Sequence, residues 1–181
     1  RGLSTTRTGL SKRKNALKNG ITAVMDEYFP EYTEVFKCPL SGKASRHILK
    51  TCPFPKFILE LGEYGVTDEI KKAVKKTVGR KKAAQLVKAA EESIGVDYGE
   101  EAAKLKLRLM LEELELLEKQ TEELEERMAD TLHKTDYGKY LLSIKGIGVV
   151  TLAACLGELG DPRRFENPRQ MSRMAGYNLV E

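Results

Sequence analysis

After Gly99, the stretch from Glu100 to Lys134 contains no glycine or proline, and its apolar residues repeat every seven positions. With position a at Ala103, that row continues through Met110, Leu117, Leu124 and Thr131. The d row is Leu107, Leu114, Thr121 and Met128. Glu, Lys and Arg fill the outer positions, which is the pattern of a coiled coil. About 35 helical residues at about 1.5 Å each make a rod of roughly 50 Å, so the chain is divided into a part before the rod and a part after it. Leu105, Leu109 and Leu116 lie off the seam and broaden the apolar face, which predicts a further helix packed alongside. Thr121 interrupts one d layer.

Charge is distributed unevenly along the chain. Arg1, Arg7, Lys12, Arg13, Lys14 and Lys18 fall within the first twenty residues, with no acid among them. The rod is acidic, with Glu112, Glu113, Glu115, Glu118, Glu122, Glu123, Glu125, Glu126 and Asp130. Basic residues return at Arg163, Arg164, Arg169 and Arg173. Positive ends on an acidic rod point to polyanion contact at the ends and assembly through the rod. The rod residues expected to carry self-association, as a dimer or tetramer, are Leu107, Met110, Leu114, Leu117, Leu124 and Met128.

Three cysteines, Cys38, Cys52 and Cys155, form no CxxC pair, so a reducing cytoplasm fits better than a disulfide framework. Cys38, His47 and Cys52 offer three zinc-type ligands, but their spacing matches no standard site and a fourth ligand is missing. No run is long and apolar enough to span a membrane, and no signal peptide is present. The chain starts without Met and stops at Val180-Glu181 after a small-residue turn, so it reads as a piece of a longer protein.

The remaining pattern is helical, giving an all-α bundle in three parts: 1–98, the rod 99–134, and 135–181. Apolar residues at helical spacing predict a helix from Ser11 to Phe29, stopped by Pro30, whose apolar stripe finds its natural partner in the broad face of the rod. Residues 31–57 read as irregular, broken by Pro39, Gly42, Pro53 and Pro55 around a short helix from Lys43 to Lys50. Another short helix runs near Pro55 to Leu61 and ends at Gly62. Thr67 reads as the N-cap of a helix reaching Val78, with Asp68 and Glu69 in its first turn. Arg80 to Ile94 completes a hairpin rich in Lys71, Lys72, Lys75, Lys76, Lys81, Lys82 and Lys88. That hairpin is either a nucleic-acid grip or a solvated basic face, and lysines on short helices are usually the latter.

After the rod, helices are expected at Tyr137 to Ile144, Val149 to Leu159, and Asn167 or Pro168 to Ala175. Lys145-Gly146-Ile147-Gly148 joins the first two, a helix-hairpin-helix signature. Gly146 and Gly148 permit positive φ and close backbone approach, leaving helix N-terminal amides for a phosphate oxygen. A tight turn between helices also favours glycine, so the motif alone is short. With Arg163, Arg164, Arg169 and Arg173 following, and Lys12, Arg13 and Lys14 at the other end, contact with a nucleic-acid backbone is favoured. The run Val149, Val150, Leu152, Ala153, Ala154 and Leu156 reads as core.

Leu142-Ser143-Ile144-Lys145-Gly146-Ile147-Gly148, Gly157-Glu158-Leu159-Gly160-Asp161, Arg164-Phe165 and Met174-Ala175-Gly176-Tyr177 resemble the C-terminal domain of a bacterial insertion-sequence transposase family. Lys12-Arg13-Lys14-Asn15 and Met25-Asp26-Glu27-Tyr28-Phe29-Pro30 resemble the helix that leaves that family's RuvC-like domain. A coiled coil between the two parts is also the family's order. The resemblance implies DNA transposition guided by a structured bridging RNA. It further implies a metal-binding acidic tetrad upstream of Arg1 and a nucleophilic serine beyond Glu181. No catalytic residue and no cofactor is therefore expected within the chain; Asp26, Glu27, Ser143 and Ser172 match neither site. Two other classes fit the residues less fully: a helix-hairpin-helix protein of DNA repair or junction binding, and a structural coiled-coil adaptor.

Overall fold

The computed structural model describes residues 2–74, 79–174 and 176–177. Among them there is no strand, and the architecture is an all-α bundle. The helices are α1 (Gly2–Tyr28), α2 (Tyr32–Val35), α3 (Lys43–Thr51), α4 (Pro55–Ala73), α5 (Gly79–Glu91), α6 (Glu100–His133), α7 (Asp136–Leu142), α8 (Val149–Leu159) and α9 (Pro168–Met174). A 3-10 turn, Pro162–Arg164, separates the last two. Ala175, the expected end of α9, lies outside the described residues. The chain forms two compact units, Lys14–Leu116, and Arg1–Arg13 with Leu117–Glu181.

In the Lys14–Leu116 unit, the apolar stripe of α1 and the heptad seam of α6 bury each other. Ile21, Val24 and Met25 share one core with Ala103, Leu107, Leu111 and Leu114. The Tyr28 hydroxyl lies beside Gly99 and the Met110 methyl packs on Gly20, so the two helices run antiparallel here. The same sense holds within the other unit. There Arg7 Nε pairs with Glu125 Oε1 at 2.7 Å, nearer the start of α1 and further along α6. Leu117, Thr121, Met128 and Leu132 are buried in that unit. The Thr121 hydroxyl donates to the Leu117 carbonyl at 2.6 Å, so the polar d position satisfies itself within its own helix.

The seam offered by the sequence to a second copy is thus packed inside the single chain. Leu107, Leu114, Leu117 and Met128 are buried, and Met110 and Leu124 are half-buried. These side chains hold the chain's own helices together, and a second copy reaches them only by displacing what covers them. Leu105, Leu109 and Leu116 remain half-exposed, so the further helix expected alongside them is not laid over them by the described residues.

Helix α1 starts at Gly2 rather than Ser11, so the basic N-terminal residues are helical. Gly2, Gly9 and Gly20 lower its intrinsic propensity, and packing on α6 compensates. The stretch expected to be irregular contributes to the core. Tyr32, Ile48, Leu49 and Phe54 are fully buried there. Tyr28 stacks on Phe54 with centroids 4.8 Å apart, and Phe29 meets Tyr32 edge-on at 5.7 Å. The Tyr32 hydroxyl, a polar group within this cluster, lies 2.9 Å from the Ser45 carbonyl and 3.0 Å from its Oγ.

Two expectations about α4 and α5 are corrected. The break at Gly62 is present, at φ 63° and ψ 179°, but the next helical stretch resumes before Thr67. Thr67 is buried, and its hydroxyl donates to the Glu63 carbonyl at 2.7 Å as an interior helical residue. It is not an N-cap. That stretch ends at Ala73; Lys75, Lys76 and Val78 lie outside the described residues. Helix α5 ends at Glu91, short of Ile94, where Ser93 and the Ile94 amide turn to the Glu31 carboxylate.

The chain then passes against the end of α1 at very short range. The Val96 amide donates to the Glu27 carbonyl at 2.9 Å. A Cβ on Gly95 would stand 2.1 Å from the Tyr28 carbonyl oxygen, a backbone atom that cannot move aside cheaply. Gly95→Ala should therefore lower the urea midpoint sharply. Gly9→Ala, in a helix interior where a Cβ meets nothing within 4 Å, should raise stability by about 0.5–1 kcal/mol. Equilibrium denaturation of both variants checks the pair; opposite signs are expected.

Candidate nucleic-acid interface

The α7–α8 turn is built by short hydrogen bonds. Thr135 leads into α7, and the Ser143 and Ile144 amides donate back to Tyr140 and Leu141 carbonyls as the helix tightens and stops. The Ile147 amide donates to the Ile144 carbonyl at 3.1 Å. Gly146 takes φ +95°, a conformation that costs an L-residue and that glycine adopts freely. Gly148 differs from the expectation: at φ −91° and ψ 167° it is ordinary extended backbone. It is the N-cap of α8, with its carbonyl accepting from the Leu152 amide at 2.9 Å. Of the two, Gly146 alone needs glycine for its backbone angle.

A Cβ on either glycine would meet nothing within 4 Å, so the outer side of this turn is open. Lys145, Gly146 and Gly148 are exposed and Ile147 is half-buried. The first amides of α8, those of Val149, Val150 and Thr151, have no carbonyl partner inside a helix and carry its positive end. An anion approaching here meets backbone donors and the Lys145 ammonium.

The arginines are not gathered at this turn. Arg163 and Arg164 follow the C-terminal end of α8, whose 11 residues at about 1.5 Å each separate them from Lys145 by roughly 16 Å. Arg163 grips Asp161 with two nitrogens, at 3.1 and 2.9 Å, and its guanidinium lies 5.6 Å from the centre of the Tyr137 ring. The Asp161 carboxylate also caps the 3-10 turn by accepting from the Arg163 amide at 2.9 Å. Arg164 lies over the Phe165 ring at 4.9 Å and reaches Met174 Sδ at 3.3 Å, which brings the end of α9 toward it. Arg169 and Arg173 are exposed on α9, four residues apart and so on one face. Lys145 thus stands at one end of α8, and Arg163 and Arg164 follow the other.

Lys12 and Arg13 are exposed on α1 in the same unit, and Lys14 is half-buried in the other. The α1 residues that approach α8 are Gly2, Leu3 and Ser4, which share a cavity of about 510 Å³ with Tyr137, Ala153 and Leu156. Lys12 lies nine residues further along, about 14 Å, so it is not brought to that end of α8. Sequence reasoning misses Asp161 and Tyr137 as partners of Arg163; Asp161-Pro162 is a readable turn-capping signal.

The apolar run of α8 is not core. Of its residues only Leu152 is buried; Val149, Val150, Ala153 and Leu156 are half-buried, and Ala154 and Cys155 are exposed. Elsewhere, His47 Nε2 lies 2.7 Å from Glu69 Oε2, Cys52 is buried in the core and Cys38 is exposed. Among the described residues no group of three or more His, Cys, Asp or Glu side chains is placed to hold a metal ion. In the lysine-rich hairpin, Lys72 pairs with Glu69 at 2.5 Å, Lys71 with Asp68 at 3.6 Å and Arg80 with Glu63 at 3.3 Å. Lys82 donates to the Val35 carbonyl and lies over the Phe36 ring. These contacts fit a surface balanced by its own acids.

Residues 138–181, beginning within α7, match the family model described as Transposase IS116/IS110/IS902 family. The match supports a transposase-related role. No curated protein and no solved structure matches the chain. No helix among the described residues is long and apolar enough to cross a membrane.

Arg163 holds the Asp161 carboxyl below the ordinary carboxylate range through its side-chain hydrogen bonds, with the Arg163 amide adding to the effect. Arg163→Ala should move the Asp161 titration upward toward the ordinary value, read by carboxyl-carbon NMR. Asp161 unchanged in that variant would mean that the pair is not formed in solution.

Proposed function

We propose that this chain is part of an insertion-sequence transposase or recombinase acting in the cytoplasm, where it holds nucleic-acid backbone and associates with copies of itself. The cutting chemistry lies elsewhere: the resemblance implies that the acidic tetrad, with its divalent metal, and the nucleophilic serine fall outside residues 1–181. One observation carries the reading. The stretch that matches the transposase family contains the open Gly146–Gly148 turn, with helix-end amides and Lys145 beside it. Backbone amides and a lysine recognise a phosphate oxygen without reading base edges, so such contacts position DNA or a structured guide RNA and do not select its sequence.

Binding should be weak, insensitive to sequence and steeply dependent on salt. Gly148→Val keeps an extended backbone angle in open space, yet sets a branched side chain between a phosphate and the first turn of α8. Its affinity for duplex DNA and structured RNA should fall with helix content unchanged by circular dichroism. Lys145→Ala should lower the salt slope by about one. Unaltered affinity in a folded Gly148→Val protein would reduce the turn to a connection between helices.

Added magnesium or manganese should produce neither strand cleavage nor a covalent protein–DNA adduct. A metal-dependent nick that survives repurification would place an active site within these residues.

A further inference from the structure

Helix α6 turns a second apolar stripe away from its buried seam. Leu105, Leu109 and Leu116 are 50%, 54% and 54% exposed. At about 100° per residue they lie with Ala102 and Glu112 on the side opposite Leu107 and Leu114. Their spacing of four, three and four, counted through Glu112, is that of a coiled-coil seam. Lys106 and Glu113 border it on one side, Arg108 and Glu115 on the other. All of these residues belong to the Lys14–Leu116 unit.

We propose that a second copy of this chain covers the stripe, α6 packing antiparallel on α6 about a two-fold axis near Met110 and Leu111. Charge complementarity selects the occupant. In an antiparallel pair each border faces its own counterpart, so Lys106 meets Glu113 of the second copy and Arg108 meets its Glu115, twice over by symmetry. Glu112 selects the direction. A parallel pair sets two Glu112 carboxylates against each other, whereas the antiparallel pair sets Glu112 against Leu109 and Leu105 against Leu116. The Glu112 stem can then pack on Leu109 while its carboxylate keeps to Arg108, 3.8 Å away in the same helix. Lys50 already holds Glu115 at 2.6 Å within the chain, so Arg108 of the second copy shares that carboxylate with it.

Three half-exposed leucines per copy cover far less than the roughly 800 Å² per partner of a stable complex, so association by this stripe alone is weak. This deepens the self-association in the reading above by naming its surface. It is measured without nucleic acid, so its failure leaves the phosphate-binding reading standing.

Sedimentation equilibrium of the whole chain should show a reversible monomer–dimer equilibrium in the high micromolar range. Leu109→Glu should abolish it with unchanged circular dichroism. The variants Lys106→Glu/Arg108→Glu and Glu113→Lys/Glu115→Lys should each be monomeric alone and dimeric when mixed. In a Cys38→Ser/Cys155→Ser background, Leu105→Cys mixed with Leu116→Cys should form the mixed disulfide in preference to either homodisulfide. A wild-type monomer throughout, or association that survives Leu109→Glu, would overturn the surface. Preferred homodisulfides would overturn the antiparallel direction.

Discussion

Mutual burial of α1 and α6 is the interaction on which the other elements depend. Neither helix stands best alone: α1 contains three glycines that lower its propensity, and the far half of α6, built from good helix formers, crowds like charges along its length. Each presents an apolar row at heptad spacing, and closing the rows together removes Ile21, Val24, Met25, Leu107 and Leu114 from water in one cluster. Burial on the order of 1.5–3 kcal/mol per large side chain exceeds what the glycines take away. Once that pair is set, the short helices between them have a surface to close over. Lys104 lies 3.8 Å over the Phe57 ring, fastening α4 to the same helix.

The long helix was legible because it combines an uninterrupted run with a strict repeat, and the glycine turn was legible because two glycines stand between apolar segments. What covers the seam was partly legible: the stripe of α1 points to the rod, but to its broad face, and it lies instead on the heptad seam with Leu107 and Leu114. A heptad row states that a partner helix is wanted, not which molecule supplies it, so the same row also reads as an offer to a second copy. Residues 31–57 were obscured by their prolines. Those prolines do not expel the chain from the core: Pro55 opens α4, and Tyr32, Ile48, Leu49 and Phe54 give the segment its burial. Thr67 misled for a related reason: a hydroxyl that bonds back one turn inside a helix is the same residue type that caps a helix start.

The nucleic-acid candidates divide along a line that sequence distance hides. Lys145 and Arg163 are close in the chain, yet α8 stands between them and holds them at opposite ends. Self-capping by Asp161 then draws Arg163 into the architecture of its own turn. An arginine already bound bidentately to a carboxylate offers a phosphate less than its charge suggests, because a competing anion must first displace the carboxylate. The turn therefore carries more weight than the count of arginines would give it.

Tyr32 gives the larger unit an optical signature. The chain has no tryptophan and seven tyrosines, so its near-ultraviolet absorbance is mostly phenolic. Burial pushes the Tyr32 phenol well above its ordinary range, against the smaller downward pull of its bond to Ser45. As pH rises past the ordinary tyrosine value, the unfolded chain gives up a proton that the folded core retains, and this unit loses stability in that direction. Ionisation of the Tyr32 phenol thus marks the opening of the aromatic cluster, and an alkaline titration becomes a clock for the core that α1 and α6 enclose.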